Sequence, residues 1–155
     1  MKYAKTKQIL NQAVADLSAL SVQIHQIHWY MRGNDFISLH PKMDEYMGQV
    51  EVQLDEISER LITLDGSPYS TLKEFAEHTK IQETSGVWGI STQERFKSLV
   101  KSLRYMTELY QKGIETTDEE GDAVTNGIFT EAKGDFEKLI WILQAELGLA
   151  PGIDA

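Results

Sequence analysis

Apolar side chains recur along this chain at alternating steps of three and four residues, the spacing of one face of an α-helix, and four long runs carry the pattern. The first takes in Leu10, Val14, Leu17, Leu20, Ile24, Ile27 and Met31 and stops at Gly33-Asn34. The second repeats as Met43, Met47, Val50, Leu54, Ile57, Leu61 and Leu64. Ser38 is placed to cap it, Pro41 falls in its first turn, and Asp65-Gly66-Ser67-Pro68 ends it. The third opens on the capping box Ser91-x-x-Glu94 and continues through Phe96, Leu99, Leu103, Met106, Tyr110 and Ile114. The fourth opens on a similar box, Thr117-x-x-Glu120, and runs through Val124, Ile128, Ala132, Phe136, Leu139, Leu143 and Leu147. A short helical pattern behind its own box, Thr71-x-x-Glu74, lies in the long stretch between the second and third runs. The pattern predicts one all-α domain over residues 1–155, with helices at about 4–32, 38–65, 71–79, 91–114 and 118–147. A plain up-down bundle needs only short loops, so the long middle connection points to a four-helix bundle with one crossover.

Composition narrows the chemistry. With 41% hydrophobic and 25% charged residues the chain is that of a folded protein with a real core. It has no cysteine, which removes disulfides, thiolate catalysis and cysteine-ligated metals, so any metal must sit on oxygen and nitrogen. Fifteen Lys and Arg against 24 Asp and Glu leave a net charge of −9, which favours cations as partners and opposes a general positive field for nucleic acid. No stretch approaches the ~18 apolar residues of a membrane span, and MKYAKTKQIL lacks the apolar core of a secretory signal. The expectation is a cytoplasmic protein that does not engage a membrane.

Three of the four histidines, His25, His28 and His40, fall around the first inter-helix turn. At 100° per residue, His40, Asp44, Glu51, Asp55 and Glu59 occupy a sector of roughly 100° beside the apolar stripe of the second helix. A merely solvated face would mix acids with lysines, and the one lysine of this helix, Lys42, points elsewhere. At ~1.5 Å per residue, Asp44 lies ~16 Å from Asp55 and ~22 Å from Glu59, beyond the reach of one metal ion. One chain therefore cannot close the site. In an antiparallel hairpin His28, His40 and Asp44 share a level, and Asp55 and Glu59 form a second half-site farther down. A two-fold axis near Gln49 and Val50 would join the halves of two chains, and Gly48 beside that point suits close helix approach. Imidazole with carboxylate suits iron, with zinc and manganese as alternatives.

Other equipment is missing. No histidine has a glutamate three residues before it, so the Glu-x-x-His of intrasubunit di-iron bundles is absent. The His-Glu-x-x-His, P-loop, Gly-x-Ser-x-Gly and Gly-x-Gly-x-x-Gly motifs are absent too.

The string His28-Trp29-x-x-x-Gly33-x-x-Phe36-x-x-x-His40-x-x-x-Asp44-x-Tyr46, followed by Asp55-x-x-x-Glu59-Arg60 and Leu64-Asp65-Gly66-x-Pro68-x-x-Thr71, resembles the Dps-like mini-ferritins, the DNA-binding proteins from starved cells and their peroxide-resistance members. That resemblance implies a ferritin-like bundle, a shell of twelve subunits built from two-fold dimers, and inter-subunit ferroxidase centres. There Fe(II) is oxidised by hydrogen peroxide and stored as ferric mineral, protecting against oxidative stress. It implies that His28, His40 and Asp44 of one subunit meet Asp55 and Glu59 of another. Trp29 then serves either as an electron donor or as interface packing, and His25 as an auxiliary ligand. It also assigns Asp122 and Glu131 to pores for iron entry, although acids at 118–122 are equally favoured by the dipole at a helix start. Glu45 and Glu51 would face the cavity, or simply solvent. The alternative function is DNA compaction. Only Lys2, Lys5 and Lys7 stand at the N-terminus, the C-terminus carries Asp154, and twelve chains at −9 repel DNA, so that function is disfavoured.

Overall fold

The computed structural model describes residues 1–154. Five helices form, α1 Ala4–Tyr30, α2 Phe36–Thr63, α3 Leu72–His78, α4 Thr92–Glu120 and α5 Ala123–Glu146, and no strand occurs among the described residues. Side-chain bonds give their directions. His28 meets His40 and Ser21 meets Glu51, so α1 and α2 run antiparallel. Asp16 meets Tyr105 and Thr6 meets Glu120, which makes α4 antiparallel to α1. Gln53 reaches Ala132 and Arg60 reaches Thr125, which makes α5 antiparallel to α2. Hence α2 and α4 are parallel, and the chain between them must travel the length of the bundle. That crossover carries α3 and identifies the ferritin-like topology.

The long apolar runs meet in one core, in which Leu17, Ile24, Met43, Ile57, Phe96, Tyr110, Phe129 and Phe136 are closed to solvent. The Tyr110 ring lies 5.9 Å from that of Phe129 and 5.7 Å from that of Phe136. Gly113 lets α5 come this close, because a Cβ there would stand 2.6 Å from the Phe129 ring.

Two predicted starts move. The second helix begins at Phe36, not 38, because the Ser38 hydroxyl donates to the Asp35 carbonyl at 3.1 Å instead of capping the helix. Pro41 consequently sits beyond the first turn. The third long helix continues through Thr117 to Glu120, since the Thr117 hydroxyl donates back to the Gly113 carbonyl at 2.8 Å rather than accepting at a new helix start. Gly121, at φ 74°, makes the break, and Asp122 caps α5 by accepting from the Thr125 N–H at 3.1 Å. Asp118, Glu119 and Glu120 therefore lie at the end of α4 and not at the start of α5, where dipole stabilisation was expected. The side chains of Thr71 and Ser91 each accept from the N–H three residues on at 3.1 Å, and the reciprocal bond completes the box at Ser91, whereas Glu74 accepts from the Ser70 N–H at 3.2 Å rather than that of Thr71.

Candidate metal centre

The turn between α1 and α2 places His28 against His40. The two imidazoles stack with centroids 3.6 Å apart and planes 10° apart, and Phe36 stacks on the second ring at 4.7 Å. Each ring is also anchored by the other residue's backbone. His28 Nδ1 lies 2.7 Å from the His40 carbonyl, and His40 Nδ1 lies 2.8 Å from the His28 carbonyl. A carbonyl oxygen only accepts, so each Nδ1 carries a proton and donates it. In the neutral ring this leaves the Nε2 lone pair bare, the arrangement that metal-binding histidines use.

Asp44, one turn after His40, holds Oδ1 3.6 Å from His28 Nε2. Two donors each about 2.1 Å from one ion in a tetrahedral or octahedral shell stand roughly 3–3.5 Å apart, so the observed 3.6 Å lies just outside that range, within a small rotation of the exposed Asp44 side chain. The histidine side chain is 12% exposed and the aspartate 60%, so the pair opens outward from the protomer. Asp55 and Glu59 are exposed one turn apart on the same helix. No group of three or more histidine and carboxylate side chains converges to hold a metal among the described residues of one protomer.

The remaining residues singled out in the sequence have separate surroundings. Trp29 is 65% exposed and His25 stacks beneath it, with centroids 5.2 Å apart. Glu51 accepts from Ser21 at 2.8 Å and Glu45 pairs with Lys42 at 3.0 Å. Glu131 is exposed. Asp122 is buried, and its carboxylate is taken up by Arg60 at 2.9 Å and by the Thr125 N–H and hydroxyl. Burial raises its pKa, but the Thr125 bonds and the Arg60 charge outweigh that and hold it below the ordinary carboxylate value. Within the protomer Asp122 locks α2 to α5, and both of its carboxylate oxygens accept hydrogen bonds.

The ferritin-like domain family matches residues 7–153. The chain belongs to it, as a Dps-like member. A DNA protection during starvation protein of Streptococcus suis is 55% identical over 148 residues, covering 96% of this chain and 86% of that protein. Dps from Listeria monocytogenes has an X-ray structure that superposes with a TM-score of 0.92 at 45% identity, over 94% of this chain and 95% of the other. Dps from Listeria innocua soaked with cobalt gives 0.93 at 44% identity, over 97% and 99%. For a Dps-like ferritin, iron binding and protection against oxidative stress are the general setting, and no helix here is long and apolar enough to cross a membrane among the described residues.

Three features escaped the sequence reading. The reciprocal Nδ1 bonds have no sequence signal beyond the twelve-residue spacing of His28 and His40. The Arg60–Asp122 lock joins residues 62 apart. Asp16 was legible as a carboxylate inside the apolar stripe of α1. It is fully buried and accepts from Gln12, Thr79, the Lys80 N–H and Tyr105, tying the crossover to the bundle.

Proposed function

We propose that this protein is a ferroxidase that oxidises Fe(II) with hydrogen peroxide at sites shared between two chains and stores the product in a homo-oligomeric shell, a dodecamer of two-fold dimers. The reading is carried by His28 and His40, whose fixed tautomer leaves both Nε2 atoms bare, that of His28 3.6 Å from Asp44 Oδ1. Asp55 and Glu59 supply the oxygen donors of the second half. Iron is the substrate. Two Fe(II) ions each give one electron to peroxide, the O–O bond breaks, and two protons complete two waters. Nitrogen and oxygen donors suit both iron oxidation states, and zinc or cobalt can occupy such a set. The cobalt soak of a relative at 44% identity is in keeping with that. Trp29, exposed on the same helix next to His28, is placed to supply a further electron when only one iron is bound.

A complementation experiment tests the shared site. His28→Ala and Asp55→Ala each lose most peroxide-dependent Fe(II) oxidation. A dimer of one of each retains one intact site, so random re-association of the two inactive proteins restores about a quarter of wild-type sites. Mixtures as inactive as their parents, at unchanged oligomer size, would overturn the inter-subunit assignment.

The names of the relatives favour physical DNA protection as a second reading. Lys2, Lys5 and Lys7 stand at the start of α1, but Glu120 caps that start through Lys5 N and Thr6 N at 3.0 and 2.9 Å and brings negative charge to the same end. Plasmid retardation at moderate salt that vanishes when the three lysines become glutamine would support compaction.

A further inference from the structure

The described surface has a second feature that the iron chemistry leaves unused. A cavity of about 340 Å³ opens between α1, the 80–90 segment of the crossover and the first half of α4. Its charged lining consists of Arg95, Lys80, Lys101 and Glu83, three cations against one acid, in a chain whose net charge is −9.

Arg95 is 4% exposed and forms no ion pair with any described carboxylate. Its Nη1 donates to Gln26 Oε1 at 3.0 Å and its Nη2 to the Val87 carbonyl at 2.6 Å, both neutral acceptors. Its Nε–H has no acceptor among the described residues, and the guanidinium lies 5.2 Å from the Tyr30 ring. A buried cation without a counter-charge is costly unless one is supplied.

The polar lining is biased the same way. Gln23 Oε1 is occupied by the Ser102 hydroxyl at 2.7 Å, and Gln26 Oε1 by Arg95, so these two amide acceptors are spent inside the wall. The Tyr105 hydroxyl is spent on Asp16 at 2.6 Å. The Gln23 amide N–H groups, the Ser98 hydroxyl and the ammonium groups of Lys80 and Lys101 remain as donors, beside the Gln82 amide, the Thr84 hydroxyl and the single carboxylate of Glu83. With three cations and these donors against one carboxylate, such a lining favours an anionic ligand rich in acceptors. Its formal surplus of two positive charges matches a phosphate dianion.

We infer that this cavity is a binding site for a small phosphate-bearing molecule, with Arg95 as its buried counter-charge and Lys101 and Lys80 as its contacts at the mouth. The volume lies at the lower end of small-ligand pockets, which admits a free phosphate or a compact phosphate monoester. Arg95 is 4% exposed and bonded to the Val87 carbonyl of the 80–90 segment, which favours a small phosphate over a duplex backbone.

The test is calorimetric titration of the iron-free full-length protein with inorganic phosphate and, separately, glycerol 3-phosphate, at fixed ionic strength with chloride as the control anion. One saturable phosphate or glycerol phosphate site per chain is expected. Lys101→Gln, a substitution at an exposed position, weakens it about tenfold with unchanged thermal unfolding. Arg95→Gln abolishes it, and Arg95→Lys, which keeps the charge, retains part of it. No saturation by either probe, or equal affinity in wild type and Lys101→Gln, overturns the proposal. So does a Lys101→Gln effect confined to a duplex oligonucleotide and absent with both small phosphates.

Discussion

At the scale of single residues, the decisive chemistry is which nitrogen of an imidazole carries its proton. His28 and His40 each use Nδ1–H to hold the other's backbone, so the same bonds that fix the turn also leave Nε2 bare, as the proposed centre requires. His28→Gln keeps polarity but loses the aromatic stack and the bare ring nitrogen. It is expected to weaken Fe(II) binding at least tenfold in an anaerobic titration of the assembled protein. Asp16 acts differently, as an acceptor for four donors from α1, the crossover and α4. Burial, followed by the bond to this carboxylate, raises the pKa of Tyr105 far above that of a free phenol. Asp16→Ala leaves those donors unsatisfied, and denaturant unfolding should report a loss of about 3 kcal/mol.

Helix boundaries at the level of elements depend on where each polar side chain finds its partner. Thr117 and Ser38 have the composition of N-caps but satisfy backbone carbonyls behind them, whereas Asp122 has the open N–H of Thr125 ahead of it. The same Asp122 receives Arg60 from α2, so one carboxylate starts α5 and ties it to its neighbour. Arg60→Met strands a buried carboxylate and is expected to cost about 3 kcal/mol of unfolding free energy. The pH dependence follows from the depressed pKa of Asp122. Its stabilising contribution is fully present above the ordinary carboxylate value and is lost as pH falls through the folded value. The stability gap between wild type and Asp122→Asn should therefore narrow from about pH 5 to about pH 3 in acid unfolding curves. A gap that widened in acid would contradict that origin.

For the whole molecule, the proposed centre makes assembly a condition of activity. Gly48 sits on the exposed face of α2 with open space around it, so a side chain there meets nothing in the protomer. Gly48→Leu should strengthen the helix by up to about 1 kcal/mol. In the proposed two-fold pairing it stands near the axis, where added bulk separates the half-sites. The expected result is unchanged circular dichroism, a smaller species on gel filtration and lost ferroxidase rate. Full-sized, fully active Gly48→Leu would move the axis elsewhere.

The helical periods, the caps at Thr71 and Ser91 and the stop at Asp65-Gly66 were legible in the chain itself, because each depends on residues within a few positions. The ordering of His40, Asp44, Asp55 and Glu59 along one helix face was legible too, since helix geometry alone fixes it. The break at Gly121 and the role of Asp122 were not, because Thr117 and Asp122 have the same capping chemistry and only their packed partners separate them. The tautomer of the paired histidines and the uncompensated charge of Arg95 likewise exist only where distant segments meet. Sequence fixes what can be read along a helix, and tertiary structure decides what happens between helices, because hydrogen bonds and counter-charges there come from residues tens of positions away.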